Sequence, residues 1–162
     1  MRLASEADLP EIMAIYNDTV PTRQSTADTL EVSLDSKRDW FRQHDPARRP
    51  ILVHEIQGRV AAWVSFQSFY GRPAYKHTAE LSIYVAAGFR SQGLGRQLLD
   101  EALGMTTRLG IKTLLGYIFS HNEPSIRLFR SCGFAEWGRL PRIAEMDGRE
   151  CSLSIYGKRV NP

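Results

Sequence analysis

The chain of 162 residues is 43% apolar and 24% charged, enough for a hydrophobic core of its own, and it reads as one domain over residues 1–162. A formal net charge of only +3, with basic residues scattered and no recognition motif, argues against nucleic-acid binding while suiting a polyanionic small ligand. Cys132 and Cys151 lack metal-ligand spacing, and neither a signal peptide nor a transmembrane-length apolar run is found, so a cytoplasmic protein with buried free thiols, no metal and no membrane contact is expected.

In chain order, Arg2 to Ala4 forms a short strand. Ser5 caps a helix whose Leu9, Ile12, Met13, Ile15 and Tyr16 recur at threes and fours, with Pro10 tolerated in its first turn. A polar connection, Pro21 to Glu31, leads to a second helix over Leu34 to Gln43, capped by Ser33 and ended by Asp45-Pro46 and Pro50. Ile51 to Ile56 and Val60 to Phe69, joined by Gln57-Gly58-Arg59, read as a hairpin. Thr78 to Val85 is β-branched, aromatic and partly alternating, as a strand should be. The long helix that follows runs to about Arg108, Gly110 breaks it, and Thr113 to Ile118 is a buried strand. Pro124 opens a helix ending near Cys132-Gly133, and strands near Ala135–Leu140 and Ser152–Arg159 close the chain. The order βααβββ-α-β-α-ββ describes an α/β (α+β) domain with a mixed, mostly antiparallel sheet flanked by helices.

Between the Thr78–Val85 strand and the long helix lies Arg90-Ser91-Gln92-Gly93-Leu94-Gly95, followed by Arg96. Two glycines and an arginine opening a helix can present several backbone N–H groups to one anion, where the helix dipole also favours negative charge. No Gly-Lys-Ser/Thr ending follows, which excludes a P-loop, and Gly93-Leu94-Gly95 is followed by Leu98 rather than a third glycine, which excludes the Rossmann fingerprint. A tight turn and a phosphate cradle both remain open for such a loop.

The loop and the order of elements resemble the GNAT acetyltransferases, whose Arg-x-x-Gly-x-Gly segment holds the pyrophosphate of coenzyme A. A narrower likeness lies in Arg72-Pro73-Ala74-Tyr75 and Thr78-Ala79-Glu80-Leu81-Ser82-Ile83-Tyr84-Val85, whose spacing is similar to that of the phosphinothricin N-acetyltransferase group, methionine sulfoximine acetyltransferases included. Ile15-Tyr16-Asn17, Asp39-Trp40-Phe41, Asn122, Ser125-Ile126-Arg127-Leu128 and Gly133-Phe134 follow in the group's order, so the likeness runs from about residue 2 to residue 159.

The resemblance implies a GNAT fold, acetyl-coenzyme A as co-substrate, a small-molecule amine as acceptor and a homodimer. Direct attack by a primary amine on a thioester needs a base, an oxyanion donor and help for the departing thiolate. By the resemblance, Glu80 is the base, and backbone around Ile83, Tyr84 and Val85 serves the oxyanion and the pantetheine arm. Arg90, Ser91, Gln92, Gly93, Leu94, Gly95 and Arg96 hold the pyrophosphate. Asn122 and Ser125 contact the pantetheine portion, although Asn122 also suits a helix cap ahead of Pro124. Arg72, Tyr75, Ser82 and Glu80 line the acceptor pocket, favouring a small amino acid with a further anionic or strongly polar group. Arg72 also fits an ordinary surface arginine, and His121 reads as a surface loop histidine.

The chain departs from the group in three places. Phe129 stands where many GNAT enzymes carry tyrosine and this group commonly histidine, and it cannot donate a proton. Solvent, another group such as Ser125, or unassisted departure would then serve the thiolate. Glu150-Cys151-Ser152 follows Asp147-Gly148-Arg149 where the group has Trp-x-Asp, and Ser25-Thr26-Ala27 lacks the usual aromatic. Another amine (a protein N-terminus, a polyamine, an aminoglycoside) and a non-catalytic coenzyme A-binding module are the alternatives these departures keep open.

Overall fold

The computed structural model describes residues 1–161. Its elements are β1 (Arg2–Leu3), α1 (Leu9–Asn17), α2 (Leu34–Arg42), β2 (Ile51–Ile56), β3 (Arg59–Ser68), β4 (Thr78–Val85), α3 (Leu94–Met105), β5 (Thr113–Phe119), α4 (Glu123–Ser131), β6 (Ala135–Met146) and β7 (Arg149–Arg159). Seven strands form one sheet in the order β1-β2-β3-β4-β5-β7-β6. Neighbours run antiparallel except β4 and β5, which are parallel. The mixed, mostly antiparallel sheet expected from the sequence is present.

Strand alternation sorts the side chains onto two faces. On one, Leu98, Leu99 and Ala102 of α3 and Ile126 of α4 pack with Val64, Phe66, Leu81 and Leu114 of the sheet. On the other, Ile12 and Ile15 of α1 bury Ile51, Val53 and Trp63, with Trp40 of α2 and Tyr84 partly buried beside them. Ser33 caps α2, its Oγ accepting from the Ser36 N–H at 3.3 Å.

Two boundaries differ from the sequence reading. The helix α3 ends at Met105 rather than near Arg108, because Thr106 turns its hydroxyl back onto the Leu103 carbonyl (2.8 Å) and the chain winds into Gly110 at φ +65°. The last two strands are far longer than Ala135–Leu140 and Ser152–Arg159. They form one hairpin turning at Asp147 (φ 51°) and Gly148 (φ 72°), the two left-handed residues of a tight hairpin turn. Strand β6 is the open edge of the sheet and is exposed along most of its length, so it carries no alternating pattern to read. Pro141 is tolerated there beside a break in register between Leu140 and Ala144. Cys132 is buried, whereas Cys151 is only half-buried. No helix among the described residues is long and apolar enough to cross a membrane.

Candidate active site

The two parallel strands part company early. Pairing of β4 with β5 covers Thr78↔Thr113, Ala79↔Leu114 and Glu80↔Leu115, then stops, while β5 continues to Phe119. A cavity of about 380 Å³ fills the gap between Leu81–Tyr84 and Tyr117–Phe119. The register of β4 against β3 is unbroken, so the strand is splayed and not bulged. Ala86 N–H donates to Ala61 O (2.9 Å) and Phe69 N–H to Thr78 O (3.4 Å), so even-numbered residues bond β3. His77 O accepts from Thr113 N–H at 3.1 Å on the other side. By the same alternation, the N–H groups of Ile83 and Val85 face the gap with no strand to receive them.

The Arg90–Gly95 loop lies at one end of this gap. Ser91 (φ 60°) and Gly93 (φ 82°) are left-handed, which curls the chain into the first turn of α3. The first intrahelical bond runs from Gln97 N–H to Gly93 O (3.1 Å), and the N–H groups of Ser91 through Arg96 have no acceptor among the described residues. Arg90 anchors the loop to the strand end, its Nε donating to Val85 O at 2.9 Å. Gln92 donates to Gly88 O at 3.0 Å. The Arg96 guanidinium is turned away, onto Asp100 (2.8 Å) and the Ser131 carbonyl (3.2 Å), so only its backbone faces the loop. Gly95 lets α4 approach: an added Cβ would stand 3.2 Å from Leu128 Cδ2. A second cavity, about 400 Å³, joins the loop to the gap and shares Ile83, Tyr84, Asn122 and Ser125 with the first.

Glu80 stands where the strands part, on the face that α1 covers in part. It is directly opposite Gln67 of β3 and Leu115 of β5, half-buried, with no hydrogen-bond or ionic partner among the described residues. Burial raises its carboxyl above the usual carboxylate range. It also helps raise the Tyr117 phenol, where burial is again the larger cause. Ser82 and Tyr84 follow on the same face, with Tyr84 stacked on Trp63 at 4.5 Å between centroids.

The segment between α1 and α2 covers the gap, a role that its polar composition alone did not reveal. Asn122 Nδ2 donates to Gln24 O (3.0 Å), His121 Nε2 meets Arg23 O (2.8 Å), and Tyr84 Oη donates to Ser25 O (3.3 Å). Arg23 pairs with Asp147 in the β6–β7 turn at 2.8 Å. Tyr16 Oη bonds Thr26 Oγ1 and donates to Asp28 Oδ2 at 2.5 Å, and burial together with Asp28 pushes its phenol up to about 12. Asn122 is also the helix cap, its Oδ1 accepting from the Ser125 N–H at 3.2 Å. His121 is exposed, as expected.

The remaining expected residues divide. Ser125 is half-buried and lines both cavities. Phe129 is buried on the floor of the gap, lying over Gly116 of β5, so this position is filled by packing and offers no proton. Arg72 and Tyr75 are exposed and line a different recess, about 450 Å³, outside the gap. That recess adjoins the Glu80 face through Gln67 and Trp40. Among the described residues no cluster of His, Cys, Asp and Glu could hold a metal ion.

The Acetyltransferase (GNAT) family model matches residues 9–134. The sequence is 47% identical to a Bacillus subtilis (strain 168) protein named "Putative phosphinothricin acetyltransferase YwnH", over 99% of this chain and 99% of that one. It is 32% identical to the L-methionine sulfoximine/L-methionine sulfone acetyltransferase of Pseudomonas aeruginosa, over 100% of this chain and 95% of the relative. The fold superposes with a TM-score of 0.91 on the crystal structure of a GNAT superfamily phosphinothricin acetyltransferase from Sinorhizobium meliloti in complex with AcCoA. That match is 28% identical and covers 98% of this chain and 86% of the other.

Proposed function

The chain belongs to the acetyltransferase (GNAT) family, and from that premise we propose that it moves the acetyl group of acetyl-coenzyme A to the primary amine of a small amino acid or analogue, of the phosphinothricin or methionine sulfoximine type, with Glu80 as general base. One observation carries the reading. The strands β4 and β5 separate directly after Glu80, so a half-buried carboxylate, unpaired strand N–H groups and the free N–H groups of a helix-opening loop adjoin one groove.

The groove's residues suit the co-substrate. Six N–H groups from Ser91 to Arg96 are free for a pyrophosphate, and the N–H groups of Ile83 and Val85 for the amides of a pantetheine arm. Asn122 keeps one amide hydrogen beyond those used on Gln24, and the Ser125 hydroxyl has no partner among the described residues. When bound, acetyl-coenzyme A supplies an activated acyl carbon and a thiolate leaving group. Glu80 takes a proton from the incoming ammonium, directly or across one water, and its raised pKa brings it closer to the amine it must deprotonate. A developing oxyanion finds backbone N–H groups and, among the described residues lining the gap, no cationic side chain. Ser125, one turn before Phe129, is the α4 hydroxyl beside the place where the thiolate departs.

Arg72, Tyr75 and Ser82 then stand around the acceptor, the first two from the neighbouring recess. The same reading makes the enzyme a cytoplasmic homodimer of single-domain chains. The test is to follow thiol release with phosphinothricin, methionine sulfoximine, spermidine and an N-terminal peptide. Turnover with the first two is expected, and turnover confined to the last two would overturn the acceptor. Glu80→Gln is expected to lower kcat about 10²–10⁴-fold with little change in KM for acetyl-coenzyme A.

A further inference from the structure

Beside Glu80, on the face that α1 and α2 cover, lies a smaller cavity of about 150 Å³. Its floor is the cross-strand pair Ser65–Ser82 with Gln67 next along β3, and its walls are Tyr16, Lys37 and Trp40. This is about half of the ~300 Å³ at the low end for pockets that enclose a drug-sized ligand. A single side chain fits such a volume; a peptide does not.

Its polar lining is unsatisfied. Ser65 is only 5% exposed, yet its hydroxyl has no hydrogen-bond partner among the described residues, nor do the Gln67 amide and the Ser82 hydroxyl. Gln67 is exposed and Ser82 half-buried, so water can serve them. Trp63 Nε1, on the same lining, is buried with no partner among the described residues, and a buried donor left open beside a cavity points to a ligand. Lys37 is half-buried, with Nζ 5.5 Å from the Tyr16 ring centroid and 5.7 Å from that of Trp40. No described carboxylate lies within ion-pair distance of it, in contrast to its neighbour Arg38, which pairs with Asp35 at 3.1 Å. Among the described residues it is the only charged one lining the cavity.

We propose that this cavity is the side-chain subsite of the acceptor and takes a side chain ending in an oxyanion, such as a carboxylate or phosphinate. Lys37 is its counter-ion, Ser65 and Gln67 donate to its oxygens, and the Tyr16 and Trp40 rings pack against the linking methylenes. The inference rests on the reading of the chain as an amino-acid N-acetyltransferase. Gln67 is directly opposite Glu80 in register and Ser82 is the next residue on that face, so an α-amine held at Glu80 leaves its side chain at the mouth of the cavity.

Steady-state acetylation of phosphinothricin, whose phosphinate is charged at neutral pH, and of methionine sulfone, which is neutral there, is compared in the parent, Lys37→Met, Lys37→Arg and Ser65→Ala. Lys37→Met is expected to raise KM for phosphinothricin about tenfold or more and to leave KM for the sulfone within about twofold, with kcat little changed for either. Lys37→Arg restores most of the loss, and Ser65→Ala raises KM for both acceptors. Equal effects of Lys37→Met on the two acceptors, or none, would overturn the subsite and leave the transfer reaction standing. A parent that acetylates spermidine or an N-terminal peptide but neither amino acid would overturn the amino-acid reading and the subsite with it. If Lys37→Met does not fold, Lys37→Gln carries the same comparison.

Discussion

Glu80 is a carboxylate that burial disfavours in its charged form and that no cation compensates. Its folded-state pKa is therefore raised, and the folded protein holds that proton more tightly than the unfolded chain does. The sign follows: this group lowers stability as pH rises through the ordinary glutamate range of about 4.3 and upward. Glu80→Gln is accordingly expected to raise Tm at neutral pH while reducing kcat, and a melting curve beside an activity assay checks both. The acid limb of kcat/KM should lie above the ordinary carboxylate range in the parent and vanish in the variant. An acid limb that survives the exchange assigns the base to another group. Gly116 presents the opposite kind of constraint, steric instead of electrostatic. A Cβ there would stand 2.4 Å from Phe129 Cε1 and 3.0 Å from Cζ, and Phe129 is itself wedged at 4.8 Å between ring centroids against Phe134. Gly116→Ala should cost about 1–3 kcal/mol, read as a fall in Tm of roughly 2–10 °C. Adding Phe129→Leu should return part of that loss, because the two positions share one volume.

At the scale of elements, the cover between α1 and α2 is held by side chains donating to its carbonyls, with no ladder of its own. Asn122 does two separable things there, donating to Gln24 O through Nδ2 and accepting from Ser125 N–H through Oδ1. Asn122→Asp keeps the acceptor and loses the donor, whereas Asn122→Ala loses both. Hydrogen exchange over residues 23–28 should quicken in both variants, but the Tm loss of about 2–4 °C expected for a missing helix cap should appear mainly in the alanine variant. Such anchors explain which parts of the molecule were legible beforehand. Strand β4, the Arg90–Gly95 loop and α3 announce themselves through alternation, glycine spacing and a 3.6-residue repeat. All of these are local, and so are the free loop amides, whereas Glu80 stood out only through the resemblance of its strand to the family's. The cover is defined by contacts 98 residues apart in the chain, from Arg23 and Gln24 to His121 and Asn122, which no local pattern encodes. Sequence likewise grouped Arg72 and Tyr75 with the acceptor without showing that they occupy a separate recess, and Lys37 carried no motif at all. The length of β6 was hidden because neither of its faces is buried along most of the strand.

That exposed strand sets the problem for the whole molecule. The edge at β1 is only two residues long, but the edge at β6 spans Ala135–Met146 and displays Trp137, Leu140 and Ile143 at 51%, 36% and 58% exposure. Long apolar edge strands invite pairing with another chain unless something blunts them. Arg139, Arg142 and Glu145 are interspersed along β6, which favours a specific partner over indiscriminate aggregation. A homodimer that joins these edges would cover the apolar side chains. It would also bring the β6–β7 turn of one chain, where Asp147 holds Arg23 of the cover, under the influence of the other. Sedimentation equilibrium at micromolar concentration should then give the dimer mass for the parent and a shift toward 18.4 kDa for Ile143→Glu combined with Leu140→Glu. Both side chains face outward, so the variant should keep its secondary structure while the KM values change with dissociation. A parent that sediments as a monomer, or a variant that stays dimeric, would place the interface elsewhere or remove it.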